Sequence, residues 1–245
     1  LSPVSILFVA KNRKQFTEWS LTSLLGNTNW DLVEKLWLND DGSVDGTDLV
    51  LEDAAHFVPI ESEVRRTNIG SPISIANDAV FECKTQFIAK IDNDTLLPPG
   101  WLDVAMEVIA GEPKTDLVGL EYWGLEGGLP YRPAPAAFVG GLFLARRDIF
   151  QGKKLPESHG IYYGWQDWQN QQQIKRSWIQ PSIPVVLLDR IPVEPCASLT
   201  KEYEAKGWQR PWERYGPEQA HLWNWFFGKE KFDGDTVLCA TQGVA

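Results

Sequence analysis

Residues 87–103 read FIAKIDNDTLLPPGWLD. Gln86–Ile91 is a short, mostly apolar run with strand character that stops at Asp92-Asn93-Asp94. Pro98-Pro99-Gly100 then launches a helix expected over Trp101–Ala110. The same succession of apolar strand, polar strand end and helix occurs twice upstream. Val4–Ala10 (VSILFVA) is almost wholly apolar, as in a strand buried on both faces, and meets Lys11-Asn12-Arg13. A helical stretch from Arg13 to Leu25 follows, with Phe16, Trp19 and Leu24 near 3–4 spacing, and Gly26-Asn27 stops it. Leu32–Leu38 is a second strand running into Asn39-Asp40-Asp41, and Asp45–Phe57 is helical again. Asn68 opens a turn that feeds a further helix to Cys83, with Ser71 as N-cap and Pro72 at its first position.

Strands alternating with helices of this length mark βαβ units and a mostly parallel sheet. The expected fold is α/β: an open, mostly parallel, doubly wound, Rossmann-like sheet with helices on both faces. Ligands of such sheets bind outside the carboxyl ends of the strands. The polar clusters at Lys11-Asn12-Arg13, Asn39-Asp40-Asp41 and Asp92-Asn93-Asp94 all occupy such ends. After Pro130 the composition shifts. Ala137–Arg146 is a strand candidate, 152–164 a loop, Trp165–Trp178 a Gln-rich helix and Pro184–Leu188 a short strand; Lys201 onward is helical and aromatic. With no linker between the halves, residues 1–245 are expected to form a single domain. Residues 1–120 form its ligand-binding half, and 121–245 its substrate-specific half.

Composition narrows the function. The chain has 245 residues, 43% hydrophobic and 23% charged, which are globular values. A net charge of −10 argues against duplex nucleic acid, whose phosphates demand a basic face. The longest nearly apolar run, Ala136–Ala145, contains two glycines and is too short to span a bilayer. The N-terminus opens straight into a strand without a basic n-region, so no signal peptide is expected. Three widely separated cysteines, Cys83, Cys196 and Cys239, suit a reducing compartment, and the expected location is cytoplasmic. Twelve tryptophans, with close pairs at Trp165/Trp168, Trp208/Trp212 and Trp223/Trp225, suit either packing or stacking against sugar rings.

Asp92 and Asp94 form a D-x-D pair whose carboxylates together suit a divalent cation. Two carboxylates so close resist ionising together unless a cation is present. Asp41, Ser43, Asp45, Gly46 and Glu52 match positions of an EF-hand loop. The preceding segment is strand-like and Asp48 occupies a position that loop wants apolar, so calcium is not expected there. His56, at a helix end, is expected to be structural, whereas His159 and His221 lie in the second half among loop and aromatic residues.

Taken in order, LWLNDDGSVDGT (36–47), TNIGSPISIANDAV (67–80) and FIAKIDNDTLLPPGWLD (87–103) strongly resemble the family 2 glycosyltransferases, which have the GT-A fold. FVGGLFLARRDIF (138–150) and YYGWQDWQNQQ (162–172) look like that family's later strand and its Glu-Asp helix start. The resemblance covers residues 4–178. It implies transfer of a sugar from a nucleotide-diphosphate sugar, of UDP or GDP type, to a carbohydrate or other hydroxyl acceptor. Ala10, Asn12, Arg13, Asp40 and Asp41 would line the nucleotide, with Asp40 accepting from the base. Asn68 and Asn77 would lie near the ribose and diphosphate, joined by Asp92 and Asn93. Asp94, with Asp92, would bind Mn²⁺ or Mg²⁺. Asp167 would be the general base of an inverting transfer, with Tyr163, Trp165 and Trp168 contacting acceptor or donor sugar.

Several residues depart from the family pattern. The first strand ends Val-Ala-Lys-Asn instead of Pro-Thr-Tyr-Asn, and Gln166 replaces the Glu beside Asp167. Pro192–Ser198 holds no histidine to complete a metal shell, and Gln173–Trp178 only loosely echoes the processive Gln-x-x-Arg-Trp motif. Two alternatives remain open at this level. A nucleotidyltransferase of similar topology would also use carboxylates and a cation, although it normally has a Gly-rich loop after its first strand. A non-catalytic carbohydrate-binding protein would explain the tryptophans but not the strand-end carboxylates.

Overall fold

A computed structural model describes residues 3–67, 72–97, 99–111, 113–120, 122–123, 125–126, 129–130, 142–150, 175–179 and 185–187. Its elements in chain order are β1 (Val4–Ala10), α1 (Lys14–Asn27), β2 (Val33–Asp41), α2 (Thr47–Phe57), β3 (Glu61–Thr67), α3 (Pro72–Glu82), β4 (Phe87–Asp92), β5 (Thr95–Leu96) and α4 (Trp101–Gly111). The short strands β6 (Leu117–Leu120), β7 (Tyr122–Trp123), β8 (Leu125–Glu126), β9 (Leu129–Pro130), β10 (Leu142–Arg146), β11 (Arg176–Ile179) and β12 (Val185–Leu187) follow.

The main sheet has seven strands among the described residues, in the order β11-β6-β10-β4-β1-β2-β3. β1 lies parallel to β2 on one side and to β4 on the other, and β3 extends the parallel set beyond β2. β10 runs antiparallel between β4 and β6. The chain builds β1, β2 and β3 outward in one direction, then returns across β1 to lay down β4. The strand order therefore reverses between β1 and β4, where doubly wound sheets open a crevice.

β1 is buried along its whole length, and its side chains alternate between two cores. Val4, Ile6, Phe8 and Ala10 pack under α1, α2 and α4, against Leu21, Leu24, Leu51 and Trp101. Leu7 and Val9 point to the opposite face, with Trp37, Ile88 and Phe143, and Ala79 of α3 covers them. Helices thus cover both faces, as expected. The expected start of α4 at Trp101 also holds: Gly100, just before it, adopts φ 74°, a left-handed value that favours glycine.

Two segments differ from expectation. β3 (ESEVRRT) has Val64 as its one aliphatic residue and carries no hydrophobic signal. It is an edge strand, where charges guard against pairing with another chain. Trp37 of β2 supports it: Lys35 Nζ and the Arg65 guanidinium lie 4.0 and 4.1 Å from the ring centre, and Glu63 pairs with both cations. Residues 176–178, expected at the end of a Gln-rich helix, belong to strand β11, aligned parallel to β6. Pairing with a distant strand overrides the local helical composition.

Polar residues of α1 fix the segment after β4. Ser20 Oγ donates to the Thr95 carbonyl at 2.7 Å, Leu97 N–H donates to Ser23 Oγ at 3.0 Å, and the Asn27 amide donates to the Leu97 carbonyl at 2.6 Å. These serines are buried, so α1 presents a polar stripe to the chain. That stripe anchors residues 95–97, directly beyond Asp94.

Candidate active site

The loops after β1, β2 and β4 interlock at the reversal point. Asn12 and Arg13 both adopt left-handed backbone, with φ 54° and 65°. Asn accepts this conformation readily, whereas Arg does so only when its surroundings impose it. Asn12 is held on three sides. Its N–H donates to Ser43 Oγ at 2.7 Å, its Oδ1 accepts from Val44 N–H at 2.9 Å, and its carbonyl accepts from the Asn93 amide at 3.0 Å. The Asn93 amide also donates to Thr17 Oγ1 at 2.9 Å. Asn12 and Asn93, expected to line the nucleotide, form the clasp that joins the three strand ends.

β2 continues three residues past its expected end. Asn39 and Asp40 align with Val9 and Ala10 of β1, and Asp41 with Thr67 of β3. Asp40 is buried, and its Oδ2 accepts from Ser43 N–H at 3.1 Å. Its Oδ1 is buried without a hydrogen-bond partner among the described residues. A buried acceptor left unpaired costs about 1–3 kcal/mol, so a donor from beyond the described residues is favoured here. Asp41, fully buried, pairs with Lys11 Nζ at 3.3 Å. Ala10 is buried at the end of β1, and Asn77 is buried in α3 and engaged with its surroundings.

At the end of β4, both acids of the D-x-D pair meet cations of the chain itself. Asp92 accepts from Lys90, a strand neighbour two residues back on the same face and only 5% exposed. Partial desolvation raises the Asp92 pKa above its usual 3.8; Lys90 opposes this rise and Asp94 adds to it. Asp94 Oδ2 accepts from Arg13 Nη1 at 2.9 Å across the reversal point. The pairing with Lys90 and Arg13 was not anticipated from sequence. A lysine within an otherwise apolar strand, spaced i,i+2 from an acid, is the signal that could have found the first pair.

The described residues contain no group of three or more His, Cys, Asp or Glu that could hold a metal. Asp92 and Asp94 are hard oxygen donors, a set that suits Mg²⁺ or Mn²⁺ when phosphate oxygens complete the shell. The donor set fits a cation bound together with a diphosphate. Asn68, Tyr163, Trp165, Asp167 and Trp168 lie outside the described residues, as do His159 and His221. His56 Nδ1 contacts the Glu52 carbonyl at 2.8 Å within α2, a structural role.

The acids of the EF-hand-like pattern are drawn apart. Glu52 pairs with Arg66 at 2.7 Å, and Asp45 Oδ1 accepts from Thr47 N–H and Thr47 Oγ1 at the start of α2. Asp45 Oδ2 accepts from Lys14 N–H at 3.0 Å, tying the start of α1 to the start of α2. Partial burial raises the Asp45 pKa, but these hydrogen bonds outweigh it and hold the carboxyl below its usual 3.8. The sign follows from linkage: the stabilisation is complete above pH 3.8 and is lost as pH falls through the lower folded value. Asp45→Asn is therefore expected to be less stable than wild type in urea at pH 7. The gap should narrow in acid below pH 3.8; a pH-independent gap contradicts the ionic contribution.

Residues 5–165, more than half of the chain, match the model of glycosyl transferase family 2. No curated protein matches the sequence. Among solved structures, the chain is similar to the mannosyltransferase PcManGT from Pyrobaculum calidifontis in complex with GDP-Man and Mn²⁺. That identity is 17%, over 99% of this chain and 76% of that one, with a TM-score of 0.64. It is also similar to S. aureus TarS 1-349 in complex with UDP, at 16% identity over 75% of this chain and 59% of that one, TM-score 0.59. A third is glucosyl-3-phosphoglycerate synthase from Mycobacterium tuberculosis in complex with Mg²⁺ and UDP, at 16% identity over 72% and 68%, TM-score 0.53. The matched region spans less than two thirds of that TarS chain. The sheet order, the reversal between β1 and β4, and these likenesses give the GT-A fold. By the match over residues 5–165, the chain belongs to glycosyl transferase family 2.

Proposed function

We propose that the chain moves a sugar from a nucleoside-diphosphate donor, of UDP or GDP type, to an acceptor hydroxyl, with inversion at the anomeric carbon. The observation that carries this is the convergence of Asp40 at the end of β2 with Asp92 and Asp94 at and just beyond the end of β4, beside the β1 loop, with one Asp40 oxygen buried and unpartnered among the described residues. Asp40 Oδ1 accepts from an N–H of the base. Ala10, Asn12, Arg13, Asp41, Asn68, Asn77 and Asn93 line the nucleotide. Asp94, with Asp92, holds Mn²⁺ or Mg²⁺, which when bound stabilises charge on the departing diphosphate as a Lewis acid. The ions in complex with PcManGT and the mycobacterial synthase support this choice of metal.

On the acceptor side, Asp167 takes the hydroxyl proton as that oxygen attacks the anomeric carbon. Tyr163, Trp165 and Trp168 contact the sugars. The transition state has oxocarbenium character, as in glycosyl transfer generally. Residues 1–120 form the donor half and 121–245 the acceptor half of one domain. The odd cysteine count supports action in the cytoplasm, and no helix among the described residues is long and apolar enough to cross a membrane.

A mass-spectrometric screen of nucleotide sugars, with Mn²⁺ or Mg²⁺ present, tests the proposal. Release of free nucleoside diphosphate from one donor is the expected result. Release of sugar 1-phosphate, by cleavage within the diphosphate, would make the chain a nucleotidyltransferase, and an unchanged donor pool would leave it a binding protein.

A further inference from the structure

The two acids of Asp92-Asn93-Asp94 differ in how firmly their partners are held. Lys90 is rooted in β4 and 5% exposed, so its ammonium has little room to leave Asp92. Arg13 reaches Asp94 from another loop, on a long side chain, and the two are 18% and 15% exposed. Its backbone is fixed by the neighbouring Asn12 clasp, so the guanidinium can change partner without the loop moving. A guanidinium matches phosphate oxygens as well as it matches a carboxylate. Resting on the donor-site assignment above, we propose that Arg13 is a resident counter-cation. It occupies Asp94 in the nucleotide-free protein, passes to the incoming diphosphate, and so frees Asp94 for the divalent metal. Arg13 is then a positioning residue that makes the order of binding nucleotide first, metal second.

Mn²⁺ binding to nucleotide-free protein, read from the free-ion EPR signal, isolates the competition. Arg13→Asn suits the test because asparagine accepts the left-handed backbone at this position; Arg13→Gln serves if the first variant melts early. Removing the guanidinium is expected to tighten Mn²⁺ binding about tenfold or more, since a mostly desolvated competing charge is lost. Lys11→Gln removes an equal charge whose partner is Asp41, and should change Mn²⁺ affinity by less than about twofold at physiological ionic strength. Arg13 variants that bind Mn²⁺ no tighter than wild type, or equal tightening by Lys11→Gln, would overturn the competition.

The handover is read separately, by UDP and GDP binding in EDTA. Wild type should bind the preferred nucleotide about tenfold more tightly than Arg13→Asn, the size of one charge-assisted phosphate contact. Equal affinity overturns the handover. Failure of the donor-site assignment looks different: wild type would then bind neither nucleotide, with or without metal, while the nucleotide-free Mn²⁺ comparison would still decide whether Arg13 guards Asp94.

Discussion

Mn²⁺ and the correct nucleoside diphosphate, UDP or GDP, are expected to stabilise the protein weakly when added singly and strongly when added together. Ligand at about 100 times its dissociation constant adds about 2.7 kcal/mol. For a chain of this size that is a rise in Tm of roughly 5–10 °C. The reason lies at two strand ends. Asp40 offers a buried oxygen without a partner among the described residues, while Asp94 offers one already paired with Arg13. The nucleotide satisfies the first, and the cation reaches the second with phosphate oxygens to complete its shell. Asp94→Ala should erase the metal-dependent part of the shift and retain most of the nucleotide-dependent part. A thermal melt in which no nucleoside diphosphate with metal moves Tm would remove the donor-site assignment altogether.

The sequence disclosed those strand ends because of burial. β1 is buried on both faces, so its seven residues, all apolar but Ser5, carry a near-continuous apolar signal that ends where the loop begins. β4 is similar apart from Lys90. β3 was silent for the opposite reason: at the edge its residues are charged, and Lys35, Glu63, Arg65 and Trp37 form a cross-strand cluster that no single segment reveals. β2 was cut short because Asn39, Asp40 and Asp41 read as loop residues. In the fold they continue the ladder, Asn39 and Asp40 paired on both sides and Asp41 with β3, and both acids are buried. Local composition also misassigned residues 176–178, where pairing with β6 decides.

The candidate acids were legible as residue types at strand ends, but their partners were not. The pair between Arg13 and Asp94 links positions far apart in sequence, and it exists only because β1 and β4 are neighbours across the reversal. Asn93 shows the same limit. Lying between two acids it was expected to line the nucleotide, yet its amide hydrogen bonds go to Asn12 and Thr17, holding the loop that carries Arg13. One residue serves the architecture of the site through contacts that a linear motif does not encode.

Asp167→Asn is expected to lower turnover by on the order of 10²–10⁴ while leaving nucleotide and metal binding nearly unchanged. Asp167 lies outside the described residues, and the family-model match ends two residues before it, at Trp165. Its assignment rests on YYGWQDWQNQQ, where it takes the place of the Asp in the family's Glu-Asp pair, flanked by Trp165 and Trp168. A simpler role competes with catalysis: an acid at the start of a helix stabilises it by roughly 0.3–1 kcal/mol through the dipole. The substitution separates the two. Asparagine keeps the size of the side chain and an oxygen able to accept a hydrogen bond, but it cannot take a proton from the acceptor hydroxyl. The donor is assigned to Asp40, Asp92 and Asp94, at the ends of strands β2 and β4, so the Tm shift with nucleotide and metal should match that of wild type. Gln166, where the family has Glu, leaves Asp167 without an adjacent acid to assist it, and rescue by the neighbouring residue is not expected. A variant that folds, shows the full ligand-induced shift and still transfers sugar within a few-fold of wild type would reduce Asp167 to a helix-start residue.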